Sequence, residues 1–265
     1  MSVLVVGSVA LDSVETPFGK ADNVLGGSGT FFAASASHLA PVQLVGVIGN
    51  DYPIDALKSA LASRPVDLAG LEQADGASFR WRGRYRHDLN MAETLETHLG
   101  VFSSFHPKIP AQFRHAPFVF LGNIDPRLQL DVLTQVEKPK LVACDTMNFW
   151  IESRRPDLLE LLERVDLITL NDAEARQLTE EFNLVKAARW IRARGPSVVV
   201  IKKGEHGAFM FTEGSIFYAP AYPLESVFDP TGAGDSFAGG FMGYLARSGD
   251  ISEPNLRRAV IHGSV

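Results

Sequence analysis

Residues 229–241, DPTGAGDSFAGGF, combine glycines with two aspartates ahead of an apolar segment. Gly232-Ala233-Gly234 admits backbone conformations and close approaches that larger residues forbid. Pro230 fixes the chain just before the turn. From Ser236 onward the pattern is helical, with Phe237, Phe241, Met242, Tyr244 and Leu245 supplying a broad apolar face. A glycine turn that opens a helix gathers unsatisfied N–H groups and the positive end of the helix dipole at one point, and anions bind there. Asp235 stands at that helix start. It also reads as an ordinary first-turn carboxylate, but that reading leaves the glycines around it unexplained. Gly239, Gly240 and Gly243 each cost roughly 1 kcal/mol against alanine inside a helix, so they predict close packing against neighbouring backbone. An anion hole beside a carboxylate suits phosphoryl transfer to a hydroxyl. The donors hold the charge of the transferring group, and the carboxylate accepts the hydroxyl proton. The stretch is not a Walker A loop, because no Lys-Ser/Thr follows the glycines. Nor is it a dinucleotide fingerprint, which needs a third glycine and a place in the first βα unit.

Such a site needs a rigid frame, and the chain alternates short apolar runs with helical patterns. Residues 3–6, 42–48, 118–121, 141–144, 167–170 and 198–201 read as strands buried on both faces. Residues 28–39, 54–63, 156–164 and 184–194 carry helical spacing, the last stopped by Gly195-Pro196. The alternation predicts a mainly parallel sheet with helices on both faces, which binds ligands outside the carboxyl ends of its strands. Residues 78–90, SFRWRGRYRHDLN, break the rhythm with period-two alternation. With SVETPFG near the start, they form either a surface hairpin or a small sheet standing off the main body.

Bulk properties narrow the class. The chain has 265 residues, 46% hydrophobic and 21% charged, with net charge −6, a globular composition read as a single domain over 1–265. Its acidity argues against nucleic acid or anionic membrane as partner. The single cysteine, Cys144, forms no internal disulfide, which fits a cytoplasmic protein. The N-terminal apolar run is too short to span a bilayer and has no basic leader. The seven histidines form no metal constellation.

DPTGAGD resembles the C-terminal signature D-x-T-G-A-G-D of the ribokinase-like, or PfkB, carbohydrate kinases, and the resemblance covers nearly the whole chain. It implies a three-layer α/β fold with a mainly parallel central sheet, helices on both faces and a small β lid. It implies that Asp235 is the catalytic base, and that the amides of Gly232, Ala233, Gly234 and Asp235 form the anion hole for the γ-phosphate of ATP. It makes Asp229 and Thr231 candidate ligands of a monovalent cation such as K⁺. GSVALD resembles the family's first strand and turn, which puts a sugar-binding aspartate at Asp12; an ordinary turn aspartate reads as well. Gly26-Gly27, ahead of a helix, resembles the glycine pair of the substrate site. Many members carry an asparagine shortly after that pair, where this chain has Thr30, Phe31 and Phe32, so one sugar-binding amide is missing.

Further segments are similar to the family. Asn171-x-x-Glu174 resembles the pair used near the phosphates and Mg²⁺ through water; a helix cap followed by a solvated glutamate fits the residues equally. VVVIKKGEHGA resembles the nucleotide-lining segment, making Lys202, Gly204 and Gly207 candidates at the ATP site. Residues 13–25 and 78–102 occupy the places of the lid strands, where Arg82, Arg84, Arg86 and Asp88 face either substrate or water. Lid closure would exclude water, and lid edges could join two subunits as a homodimer. Asn123, Asp145 and Asn148 follow apolar strands on the ligand side and are possible substrate contacts. The family continues past the helix in which this chain stops, with a stretch that helps form the adenine pocket and the cation site, so the expectation is either a truncated sequence or an incomplete nucleotide site.

The leading expectation is ATP- and Mg²⁺-dependent phosphorylation of a hydroxyl on a sugar or sugar-like molecule. A nucleoside such as adenosine is the alternative substrate. A non-catalytic binding homologue is a second class, and the missing fingerprint counts against a third, a dinucleotide oxidoreductase.

Overall fold

The computed structural model describes residues 1–87, 89–90 and 92–265; Asp88, named above for the lid, lies outside the described residues. The chain opens with β1 (Val3–Val6), then leaves the main body through β2 (Ala10–Thr16) and β3 (Gly19–Gly26). α1 (Ser28–Ala36), β4 (Val42–Ile48), α2 (Ile54–Leu61) and β5 (Val66–Gln73) follow. β6 (Phe79–Tyr85) and β7 (Ala92–His98) again stand off. The chain returns with β8 (Phe118–Leu121), α3 (Pro126–Leu133), β9 (Leu141–Asp145), α4 (Asn148–Ser153) and α5 (Arg155–Leu162). Then come β10 (Leu167–Asn171), α6 (Asp172–Thr179), α7 (Leu184–Arg192), β11 (Val198–Lys202), β12 (Ala208–Phe211) and β13 (Ile216–Ala219). α8 (Ala233–Ser248) and α9 (Glu253–Gly263) end it.

Among the described residues the strands make two sheets, one of nine strands in the order β13-β12-β11-β10-β9-β8-β1-β4-β5 and one of four in the order β3-β2-β6-β7. From β11 to β5 every neighbouring pair is parallel, while β12 and β13 run antiparallel at one edge. The central strands are continuous apolar runs because both faces are covered. Val3 and Val5 point to a core shared with Phe32, Leu57, Phe241 and Val260. Leu4 and Val6 point to the other core, with Leu130, Leu158, Leu178 and Ile191. The architecture is the expected α/β sandwich with helices on both faces.

Helix ends depart from the pattern by two or three residues. Leu39, Arg164 and Arg194 close i→i+3 turns onto Ala36, Leu161 and Ile191, so apolar periodicity runs past the last α-helical turn. At the other extreme, α8 starts at Ala233, ahead of the apolar pattern, because the Ser236 N–H already donates to the Gly232 carbonyl at 2.8 Å.

The α8 glycines set how the helices meet. A Cβ on Gly239 would stand 2.5 Å from the Phe32 carbonyl oxygen, and one on Gly243 2.9 Å from that of Ala36. Ser35 Oγ donates to the Ser236 carbonyl at 2.7 Å. Residue numbers rise together along both helices, so α1 and α8 run side by side in one direction. Both N-termini therefore come to the carboxyl ends of the strands.

Candidate active site

At the start of α8 the turn is held by its own side chains. Asp229 Oδ1 accepts from the Thr231 N–H at 2.9 Å, and the Pro230 carbonyl accepts from the Ala233 N–H at 3.1 Å. Gly232 takes φ 74°, the left-handed region that favours glycine. It is also crowded, since a Cβ there would lie 2.3 Å from the Phe31 ring. Among the described residues no backbone carbonyl accepts from the N–H groups of Gly232, Gly234 or Asp235. These three donors lack a backbone acceptor, and that of Asp235 interacts with its own carboxylate, whereas Ala233 already has its acceptor.

Asp235 is partly open to the cleft but has protein on most sides. Burial pushes its carboxyl up to about 7, the Asp145 charge adds to the rise, and Lys202 opposes it. Lys202 reaches in from the end of β11. Its Nζ is 2.9 Å from Asp145 Oδ2 and 2.9 Å from where a Cβ on Gly234 would be. Burial works against the Lys202 ammonium, but Asp145, Glu174 and Asp235 outweigh it and hold its pKa above the usual lysine range. The ends of β9 and β11 and the starts of α6 and α8 therefore share a cluster of one cation, Lys202, and three carboxylates, Asp145, Glu174 and Asp235.

Asn171 and Glu174 form a reciprocal cap at the start of α6. The Glu174 N–H donates to Asn171 Oδ1 at 2.8 Å, and the Asn171 N–H donates to Glu174 Oε2 at 2.7 Å. Burial raises the Glu174 carboxyl, with Lys202 acting against it and Asp145 with it. The helix-cap reading of this pair is thus what the hydrogen bonds show, and Glu174 is common to the cap and to the cluster around Lys202. Gly204 and Gly207 shape the turn after β11 at φ 54° and 91°, closed by the Lys203 N–H on the Gly207 carbonyl at 2.7 Å.

At the other end of the cleft, Asp12 leaves β2 with its carboxylate lying against the glycine pair. A Cβ on Gly26 would be 2.0 Å from Asp12 Oδ2. The Gly27 N–H donates to that oxygen at 3.3 Å. Gly26 thus makes room for the aspartate. Burial pushes the Asp12 carboxyl up to about 6, the Gly27 bond opposes this, and the Asp229 charge contributes to it.

Asn123, after β8, is half-buried with an Oδ1 that finds no partner among the described residues, as is Thr231 with its Oγ1. Asn148 is exposed at the start of α4. The lid arginines turn elsewhere. Arg84 pairs with Glu15 at 3.3 Å and Arg86 with Glu93 at 3.0 Å, and Arg82 is exposed. The residue that turns inward from this strand is Tyr85. Burial raises its phenol, Thr231 acts the other way, and the charges of Asp229, Asp12 and Asp235 add to the rise. Tyr85 is therefore within electrostatic reach of both ends of the site. Parity in the strand carries the signal: in the β2–β6 register Ser13 faces Arg82 and Glu15 faces Arg84, so an inward side chain belongs to the other set.

A sequence profile described as pfkB family carbohydrate kinase matches residues 2–260. A cytidine kinase of Thermococcus kodakarensis is 32% identical over 260 residues, covering 96% of this chain and 91% of that protein. Among solved structures, a putative ribokinase II of E. coli, in complex with ATP and Mg²⁺, superposes with TM-score 0.81 at 18% identity, over 99% of this chain and 91% of that one. A Burkholderia thailandensis nucleoside kinase in complex with inosine gives TM-score 0.80 at 20% identity, over 99% and 90%. These two likenesses establish a common fold.

Proposed function

The chain belongs to the pfkB family of carbohydrate kinases, and on that premise we propose that it transfers the γ-phosphoryl group of ATP to a hydroxyl of a sugar or sugar-like acceptor. The observation that carries the reading is the start of α8. Three N–H donors without backbone acceptors adjoin a carboxyl poised near neutrality and a buried ammonium.

Asp235 acts as the base. It takes the acceptor's hydroxyl proton as the oxygen bonds to phosphorus and the bond from phosphorus to the bridging oxygen of ADP breaks. The amides of Gly232, Gly234 and Asp235 hold the charge on the transferring group, joined by Ala233 if its bond to Pro230 opens. Lys202 adds a fixed positive charge at the same point. Asn171 keeps Glu174 turned toward this cluster, and the turn at Gly204 and Gly207 lines the nucleotide. Asp12, Gly26 and Gly27 hold the acceptor's far hydroxyls, with Asn123 contributing its free carbonyl oxygen.

No group of carboxylates among the described residues forms a cage for a metal ion. Mg²⁺ binds chiefly through phosphates and water with one or two carboxylates. Glu174 and Asp145 are the residues to hold it, and it would neutralise phosphate charge. Thr231, with its unpartnered Oγ1, and Asp229 are the ligands proposed for K⁺. The four-stranded sheet serves as the lid over the acceptor. Its edge strand β7 is exposed along its length, and lid-to-lid pairing of two copies is the proposed dimer.

A nucleoside acceptor is the second reading. It is favoured by the 32% identity to a cytidine kinase and by the half-buried Phe31 ring on Gly232. The test is a panel of sugars and nucleosides with ATP and Mg²⁺, read as ADP and phosphorylated product. Asp235→Asn is expected to lose about 10²–10⁴ in turnover while still binding nucleotide. Full turnover in that variant removes Asp235 as base. Ligand binding without turnover in the wild type favours a non-catalytic homologue.

A further inference from the structure

The seam between α1 and α8 is closed through its depth. Gly239 lies against the Phe32 carbonyl and Gly243 against that of Ala36, and Phe32 and Ala36 are fully buried. Ser35 Oγ bonds to the Ser236 carbonyl nearer the helix starts. At the starts themselves the contact is Phe31 on Gly232. A Cβ on Gly232 would stand 2.3 to 2.6 Å from Cγ, Cδ1 and Cδ2 of the Phe31 ring. Unlike Phe32, its neighbour in sequence, Phe31 is only half-buried. The fully buried residues below it carry the helix packing, and part of this ring is left at the mouth of the seam.

Phe31 also reaches toward the acceptor end. Its N–H donates to the Gly27 carbonyl at 3.1 Å, and the Gly27 N–H donates to Asp12 Oδ2 at 3.3 Å. One residue thus has its backbone tied to the glycine pair beside Asp12 and its ring laid on the first glycine of the transfer turn. The Gly232 N–H is one of the donors without a backbone acceptor, and Asp235 lies in the first turn that follows.

The chemistry gives such a ring a task. A carboxylate beside amide donors activates whatever hydroxyl is brought to it. Water is also a hydroxyl, and it is smaller than any sugar, so a pocket cannot reject it by size. It is kept off only when the space it would occupy is filled or dry. An aromatic face offers water no strong hydrogen bond, and apolar space stays dry or takes up carbon.

We propose that Phe31 is a specificity-determining residue that keeps water from the transfer point on its α1 side, so that the γ-phosphoryl group passes to the acceptor and not to water. The inference rests on the kinase reading, which puts the acceptor between Asp12 and Asp235. Because α1 belongs to the main body, this wall stands whether or not the four-stranded sheet has closed. In the side reaction it suppresses, the water oxygen bonds to the γ-phosphorus and the bond to the bridging oxygen of ADP breaks. Its electron pair leaves with ADP, the water proton goes to Asp235, and the products are ADP and inorganic phosphate.

The test measures ADP, inorganic phosphate and phosphorylated product from ATP and Mg²⁺, with no acceptor and with ribose or cytidine. The wild type is expected to form about one ADP per phosphorylated acceptor. Phe31→Ala is expected to release ADP without acceptor about 10-fold faster than the wild type. With acceptor, its ratio of ADP to product rises to about 3 or more. A partly folded sample lowers ADP and product together and leaves that ratio alone. Phe31→Leu, which keeps an apolar side chain, stays near the wild-type ratio. If Phe31→Ala does not fold, Phe31→Asn against Phe31→Leu, alike in shape and opposite in polarity, carries the comparison. Phe31→Ala/Asp235→Asn loses the hydrolysis, and hydrolysis that persists there overturns the proposal. A crystal structure of Phe31→Ala is expected to show ordered water between Gly27 and Gly232; a dry or collapsed space overturns it as well. Product from the wild type with unchanged ratios in the variants overturns this proposal alone. Hydrolysis by Phe31→Ala with no product from either acceptor supports it and counts against the acceptor class alone. Neither product from the wild type nor hydrolysis by the variant overturns both readings.

Discussion

Lys202 and Gly234 meet across the cleft: the lysine Nζ lies 2.9 Å from the point that a Cβ on Gly234 would occupy. A buried cation is thereby held against the amides at the start of α8. Gly234→Ala is expected to be tolerated by the fold, since the crowding atom is the end of a flexible side chain and alanine gains roughly 1 kcal/mol of helix propensity. The displaced ammonium lowers kcat/KM by about 10-fold or more. Thermal melting alongside kinetics checks the split; equal activity in the variant removes Lys202 from the transfer step.

Gly232→Ala behaves differently. The left-handed φ of 74° and the Phe31 ring 2.3 Å from the new Cβ both oppose it. A loss of about 1–3 kcal/mol in urea unfolding is expected, together with lost turnover.

Removing the amine from the buried pair leaves Asp145, 4% exposed, without its cation. Lys202→Met is expected to destabilise by about 3–5 kcal/mol. Lys202→Met/Asp145→Asn recovers much of that stability but not the activity. A double-mutant cycle by urea unfolding measures the coupling; additive losses would show that the pair is not a unit.

Activity and stability are expected to move in opposite directions with pH. Asp235 must be ionised to accept a proton, so kcat/KM rises with pH through about 7. Asp235, Asp12 and Glu174 all have folded-state pKa values above their unfolded ones. Between the two values the folded chain binds more protons, so stability falls as pH rises from about 4 to about 7. Asp51, held down to about 2 by Ser78 and Arg80 although burial opposes this, contributes the reverse dependence only in acid. Melting temperature against pH, with Asp235→Asn expected to flatten the slope, tests the assignment. A slope of the opposite sign would contradict it.

Much of the frame was legible because its cause is local. β1, β4 and β8 coincide with the apolar runs read from the sequence, since a strand covered on both faces has no room for polar alternation. The turn at Gly232 was legible too, because glycine and proline act through their own backbone. Less could be read at the lid. The arginines of β6 stood out by charge, yet Arg84 and Arg86 pair with Glu15 and Glu93, and Tyr85 turns inward. Which face of a strand is inside depends on the strands beside it.

The sequence by itself determined the strand–helix alternation, the glycine turn with its aspartate, and the family. Each rests on neighbours a few residues apart. Tertiary structure alone decided that Lys202 lies against Gly234 and that Asp12 fills the space left by Gly26. The first joins the end of β11 to the start of α8 and the second lies within the antiparallel β2–β3 pair; in both, side-chain reach and burial set the partner, and no short-range pattern records them.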